Sequence, residues 1–438
     1  MLGITSFFLL AIQVLNLDLT FTTGLSAKNL VIYCVATFLA LRMVIARTPV
    51  SAVGSMQAAW ITLIGYAIAT WLIAALVIGY QGYDLVESAF RLKAGLIDYF
   101  IFFLVYLYGV QSAEDGRKVI RWLLVGAIFA NTATMLDTAG VIHLGYVERW
   151  DGRTQGAMGE SNQYAAYIVL FIPGMVAEAV ASRGFRRFAW VGGALLSLGS
   201  LAMTASRGGI VGMLLACAVG GYLYRQLVSY SRIAGWVLMS LVVLVVFMSL
   251  SQYGGLLNER LFGVTMDVDP SQASSARTEI WRNLLATMAA QPVTFLTGYG
   301  WDVYWTFPFR FSPHNYYLSQ WFNLGLVGLF SGCYLLFGSI NRARRASLVA
   351  EPAIRRHLIA YVMGTVAICG AVFFVEIMEP WIFFWMYAGT VMRLCMCAER
   401  APAHDVLPET DLAARWRLRA TRPKAPRDPY GWATAGRR

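Results

Sequence analysis

SPHNYYLSQWFNLG, Ser312–Gly325, puts a histidine directly after a proline and opens an aromatic, apolar run with the length and composition to enter a membrane. The chain has only four histidines, His143, His314, His357 and His404, so one at the mouth of such a run calls for a reason. Around it, 438 residues are 58% hydrophobic and only 13% charged, with a mean hydropathy of +0.58. Soluble domains sit near half apolar and a quarter charged. Repeated apolar runs, each long enough as a helix to cross a hydrocarbon core of about 30 Å, alternate with short polar connections. The sequence therefore predicts an all-α polytopic membrane protein.

Twelve spans are expected, at 3–23, 29–46, 58–80, 94–112, 119–142, 162–182, 187–204, 209–226, 232–251, 314–340, 357–376 and 380–397. The run from Leu2 has no basic segment before it and no small-residue cleavage site after it, so it reads as a retained span rather than a signal peptide. Every second connection is the more basic, with Arg42, Arg47, Arg117, Lys118, Arg121, Arg183, Arg186, Arg187, Arg225, Arg232 and the arginines at 342, 344, 345, 355 and 356. By the positive-inside rule these lie in the cytoplasm, as do both termini. The net charge of +11 thus follows topology and gives no reason to expect nucleic acid. Residues 1–398 form the membrane domain, and 399–438, rich in Arg and Pro, form a mostly disordered cytoplasmic tail held near anionic headgroups. Six cysteines lie in or beside apolar segments without a C-x-x-C pair and read as packing residues.

Two longer loops face the opposite side, Leu144–Ser161 and the segment 252–313, and the second is too long for a mere connection. Within it Ser274 or Ser275 can cap a helix running to about Gln291 and ended by Pro292. Its Ile280, Trp281, Leu284, Leu285 and Met288 share one stripe, suited to lying on a membrane surface or roofing a cavity. Arg277 projects from the middle of that stripe, in the first helical turn, where the macrodipole disfavours a cation. Local stability does not explain it; an anion would.

Four further features on this side can carry chemistry. In T-A-S-R-G-G, Thr204–Gly209, Ser206 can cap a helix while Gly208 and Gly209 let a ligand approach backbone N–H groups beside Arg207, which suits a phosphate. The same stretch reads equally as a tight turn with a snorkelling arginine. His314, with Pro313 starting a helix, meets a positive helix end that keeps its imidazole neutral, the state a general base needs. Its alternative is a histidine that only hydrogen-bonds at the interface. In R-T-Q-G-A-M-G-E-S-N-Q-Y, Arg153–Tyr164, the polar groups of Glu160, Ser161 and Asn162 can meet sugar hydroxyls, or the loop simply ends in a Ser or Asn cap. Asp267 and Asp269 form a D-x-D, but that pattern serves nucleotide sugars, which are cytoplasmic, so no metal is expected. Asp98, Glu376 and Glu379 are costly in or near a membrane, and the two glutamates flank the short outer turn before Pro380.

The order of these elements carries a resemblance: S-R-G-G between spans, S-S-A-R-T-E-I-W in the long loop, G-Y-G at Gly298–Gly300, then P-H-N-Y-Y-L-S-Q-W-F-N-L-G-L-V-G. Over about residues 150–335 it resembles the O-antigen ligase/polymerase superfamily of bacterial inner-membrane glycosyltransferases. The resemblance implies a GT-C-like fold and a metal-independent reaction on the periplasmic side that needs no cofactor. The donor it implies is an undecaprenyl-pyrophosphate-linked glycan and, for a ligase, the acceptor is lipid A–core. His314 matches the family's histidine base, and Arg207 and Arg277 match the arginines thought to engage pyrophosphate, with Gly208 and Gly209 beside them. Glu160, Asn162 and Asn315 are the sugar- or acceptor-binding candidates. Where the family has a G-x-x-x-N-P-N-like segment, this chain reads G-E-S-N-Q, without the proline. The same motifs serve polymerases and protein O-oligosaccharyltransferases. A transporter of polyprenyl-linked or anionic substrates is the alternative from another class, although no halves related by an internal repeat are visible.

Overall fold

The computed structural model describes residues 1–15, 17, 20–22, 25–46, 54–147, 152–224, 235, 255, 277–308, 312–376 and 380–400. The chain divides into Met1–Arg400 and Ala401–Arg438. The second unit, the expected span 232–251, the Asp267/Asp269 pair, Ser274, Ser275 and Glu379 lie outside the described residues.

Among the described residues the fold is helical apart from a short hairpin pairing Thr20–Thr22 with Leu25–Ser26. The helices are α1 (Leu2–Val14), α2 (Ala27–Ile45), α3 (Ser55–Leu72), α4 (Leu85–Leu92), α5 (Asp98–Gly109), α6 (Ala113–Thr138), α7 (Ser161–Ala181), α8 (Phe185–Met203) and α9 (Arg207–Leu223). After the long loop come α10 (Arg277–Ala290), α11 (Thr294–Thr297), α12 (Tyr316–Val349), α13 (Pro352–Ala371) and α14 (Pro380–Arg400). Among the described residues six helices are long and apolar enough to cross a membrane. The first expected span is shorter than its apolar pattern: α1 stops at Val14, and the hairpin takes up Thr20–Thr22.

Burial separates inner helices from outer ones. In α7 and α14 the span windows are 78% buried, against 17% in α2 and 22% in α3, so α7 and α14 are core and α2 and α3 present apolar faces outward. Lipid tails are as apolar as leucine, so packing rather than water exclusion holds such helices together, and small residues let backbones close up. A Cβ on Gly364 of α13 would lie 2.2 Å from the Leu170 carbonyl oxygen of α7, and one on Gly212 of α9 would lie 2.4 Å from that of Ala367.

Buried charge is paired. Asp98, 2% exposed, takes Lys93 at 2.9 Å and the Tyr33 hydroxyl. Between α4 and α5 the helix widens to a π-turn over Lys93–Ile97, and its i→i+5 spacing brings Lys93 beside Asp98. At the other end of the bundle from the loops described below, Glu178 of α7 faces Arg121 at 3.2 Å, Arg356 at 3.6 Å and the fully buried His357 at 3.3 Å.

The long loop docks through a break in α12. At Gly325 the helix leaves helical geometry, with φ 57° and ψ −151°. A broken helix in a membrane frees carbonyls that must find donors. The G-Y-G segment supplies them: Tyr299 N–H donates to Phe322 O and Gly300 N–H to Asn323 O, both at 2.9 Å. The carbonyls on the segment's other side accept from tyrosines, Thr297 from Tyr66 at 2.8 Å, Tyr299 from Tyr80 at 3.1 Å and Trp301 from Tyr83 at 2.6 Å. The roof over the bundle is thereby bolted to its wall.

Candidate functional site

At one end of the bundle, α7 and α9 begin, α12 begins and α13 ends. Arg153, 8% exposed, joins the first two: its Nε donates to Thr204 O at 2.8 Å and a terminal nitrogen to Asn162 Oδ1 at 3.1 Å. The same Asn162 oxygen accepts from Ser206 Oγ at 2.9 Å, while its amide nitrogen donates to Glu160. Glu160 caps α7, accepting from Gln163 N–H at 2.8 Å, and Ser206 caps α9, accepting from Gly209 N–H at 3.2 Å. Arg207 is the first residue of α9, so this network fixes where its side chain leaves the backbone. Sequence reasoning took Arg153 only as a loop charge. Its position at the head of the R-T-Q-G-A-M-G-E-S-N stretch was the available signal.

Gly208 and Gly209 serve packing. A Cβ on Gly208 would lie 3.0 Å from Phe374 Cβ, and one on Gly209 2.7 Å from Ala165 Cβ. With the Gly209 N–H taken by Ser206, the pair is less an open cradle for a ligand than the reason α9 sits close against its neighbours.

The helix of the long loop runs as α10, Arg277–Ala290, just short of Pro292. Leu284 and Met288 are fully buried and Ile280 and Trp281 pack with them, whereas Leu285 of the expected stripe is 40% exposed. Trp281 reaches further, donating from Nε1 to Pro313 O at 2.7 Å. This bond draws the Arg277 end of α10 to the histidine loop.

His314 is not inside a helix. Pro313 does not start α12; Asn315 caps it, its Oδ1 accepting from Leu318 N–H at 3.0 Å. Asparagine is among the strongest caps, so one carbonyl of the expected ligand-binding Asn315 is spent on the helix. His314 stands one residue earlier with φ +48°, a left-handed conformation that costs a residue with a Cβ roughly 1–2 kcal/mol. The residue keeps exposed surface, yet its imidazole pKa is lowered from 6.5, first by desolvation and then by the Arg277 cation, with Glu160 opposing. Arg277 and Glu160 thus both act on this ring, and Glu160 ties it to the Asn162–Ser206–Arg207 network. The causes of this shift are desolvation and Arg277, not the helix end on which the sequence reading relied.

A second acidic group lies behind the histidine loop. Glu376 accepts hydrogen bonds from Ser312 and Ser319, and burial of its carboxyl raises its pKa. Asp302 is pushed up to about 6 by burial, with Arg91 opposing and Glu376 adding to the rise. Among the described residues no group of three or more His, Cys, Asp or Glu is arranged to hold a metal ion.

Fold and site together define an all-α membrane protein whose polar site is assembled at one end of a helical bundle. Residues 192–333, from within α8 to within α12, match the family model described as O-Antigen ligase. Over that segment the chain is similar to the O-antigen ligase family, in agreement with the resemblance of its motifs. The match takes in Arg207, Arg277 and His314 but leaves out Arg153–Asn162 and Glu376. No curated protein matches the chain.

Proposed function

We propose that the protein is an O-antigen ligase, a glycosyltransferase moving O-polysaccharide from undecaprenyl pyrophosphate to lipid A–core. In this reading the protein is a GT-C-like enzyme of twelve spans in the inner membrane, with both termini cytoplasmic and the site on the periplasmic side. The observation that carries it is the Trp281 bond to Pro313 O, which brings the Arg277 helix to the His314 loop within the segment that matches the O-Antigen ligase family. Neutral His314 takes the proton of the acceptor hydroxyl as its oxygen bonds to the anomeric carbon. The bond from that carbon to the pyrophosphate breaks on the opposite face, inverting the centre and releasing undecaprenyl pyrophosphate. Arg207 and Arg277 stabilise the departing negative charge, a role in which fixed cations serve without a metal. Glu160, Asn162 and Asn315 line the sugar side. Because Glu160 and Asn315 cap helices and Asn162 holds the buried Arg153, all three contribute position as much as contact.

The test is transfer by purified protein in detergent, with undecaprenyl-pyrophosphate-linked glycan, lipid A–core and EDTA. A product on lipid A–core supports the reading. Growth of the lipid-linked glycan itself would replace it with a polymerase, and glycan movement with no glycosidic bond formed would replace it with a transporter.

Arg277 has a second expected effect. A base acts only when unprotonated, so kcat/KM rises with pH through the His314 pKa, with a midpoint below the ordinary 6.5. Arg277→Gln removes a cation that lowers this pKa. The rising limb should move to higher pH, and the loss should be greater at pH 6 than at pH 8. Beneath that shift, removal of a charge stabiliser costs about 10²–10³-fold at every pH. An unmoved limb would mean that Arg277 does not act on His314.

A further inference from the structure

Between α13 and α14 the chain reads V-F-F-V-E, Val372–Glu376, and nearly every residue of this short run touches something that bears on His314. Val372 O accepts the Tyr316 N–H at 2.9 Å, at the start of α12. The Phe373 ring stands edge-on to Trp281 at 5.5 Å, and Trp281 holds Pro313 O. Phe374 packs on Gly208, next to Arg207. Glu376 accepts from Ser312 with one carboxyl oxygen and from Ser319 with the other, so it clamps the turn before α12 to the first turn within it. Ser312 Oγ in turn accepts the His314 N–H at 3.4 Å.

This arrangement bears on the strained histidine. A left-handed residue with a Cβ persists only where its surroundings over-determine it. His314 has Ser312 on its amide, Trp281 on the preceding carbonyl and Val372 on the amide two residues later. Of these only the serine is itself anchored by a carboxyl from elsewhere in the chain.

We infer that Glu376 is a positioning residue for His314, its carboxyl locking the Ser312–Asn315 turn through Ser312 and Ser319 so that the imidazole is presented to the acceptor. It touches no substrate in this account, and the inference rests on the ligase reading for its kinetic consequence only. Each carboxyl oxygen accepts from one serine; in glutamine the amide oxygen still accepts from one, while the amide nitrogen can donate to the hydroxyl of the other. Glutamine should therefore replace Glu376, whereas alanine should not.

The experiment compares Glu376→Ala, Glu376→Gln and Ser312→Ala with the full-length wild type in detergent. It reads kcat and donor KM for transfer, and hydrogen exchange of the backbone amides at 314–318. Displacement of a catalytic group by an ångström costs about 10²-fold. Glu376→Ala and Ser312→Ala should lose about that in kcat with donor KM unchanged and exchange faster at these amides, while Glu376→Gln keeps the wild-type rate and protection. Wild-type kcat in Glu376→Ala, or unchanged exchange in both alanine variants, would overturn the inference. So would equal loss in Glu376→Gln and Glu376→Ala. If Glu376→Ala does not fold, Ser312→Ala alone decides by the same two readouts. A wild type that forms no glycosidic bond refutes the ligase reading, and the exchange pattern still decides whether Glu376 locks the turn.

Discussion

Replacing His314 with alanine should reduce glycan transfer by about 10²–10⁴-fold, the range for loss of a positioned general base. Donor KM should stay near wild type, because both arginines assigned to the pyrophosphate remain. The side chain keeps exposed surface and donates no bond that holds the bundle, so the purified variant should melt with the wild type. Stability and donor binding retained, with turnover lost, would separate a chemical role from a structural one. Turnover within a few-fold of wild type would remove His314 as the base and with it the mechanism proposed above.

The second large effect concerns folding. Gly325→Ala would place a Cβ 2.1 Å from the Leu296 carbonyl oxygen and 2.6 Å from Gly298 N, both backbone atoms with no rotamer to turn aside. Its φ and ψ also fall in a region essentially closed to residues with a side chain. Gly298 is in the reciprocal position: at φ +72°, a Cβ on it would lie 2.4 Å from Asn323 O. Either substitution should cost about 4 kcal/mol or more, the level reserved for a few named mechanisms. The readout is the yield of monodisperse protein and its half-life on mild heating, since membrane proteins often unfold irreversibly. A Gly325→Ala protein as durable as wild type would mean that the G-Y-G segment is not bolted to α12.

Much of this was written in the sequence where local rules dominate. Six of the expected spans fall on described helices long and apolar enough to cross a membrane, and α10 follows from helical spacing closed by Pro292. Arg277 stands out because it breaks its own stripe, and its charge acts on His314. Local rules failed where two of them competed. At Pro313–Asn315 a proline that fits a helix start meets an asparagine that caps better, and the Trp281 bond to Pro313 O settles the outcome for Asn315. At Glu160 the expected cap was Ser or Asn, but a carboxylate reaches Gln163 as well. Gly208 and Gly209 suggested room for a ligand because their neighbours across the bundle, Phe374 and Ala165, are invisible in one dimension. Glu376 looked like an interfacial charge for the same reason, since its serines are 57 and 64 residues away.

The bond between Tyr316 N–H and Val372 O has a consequence for biogenesis. A chain is synthesised from its N-terminus at about 5–20 residues per second, so the segment carrying Glu376 emerges roughly 3–12 s after His314. Throughout that interval the arginines and the histidine are made, but the loop that seats the histidine is absent. A chain halted before the end of α13 would therefore hold His314 without the Val372 carbonyl and the Glu376 carboxyl that fix its turn.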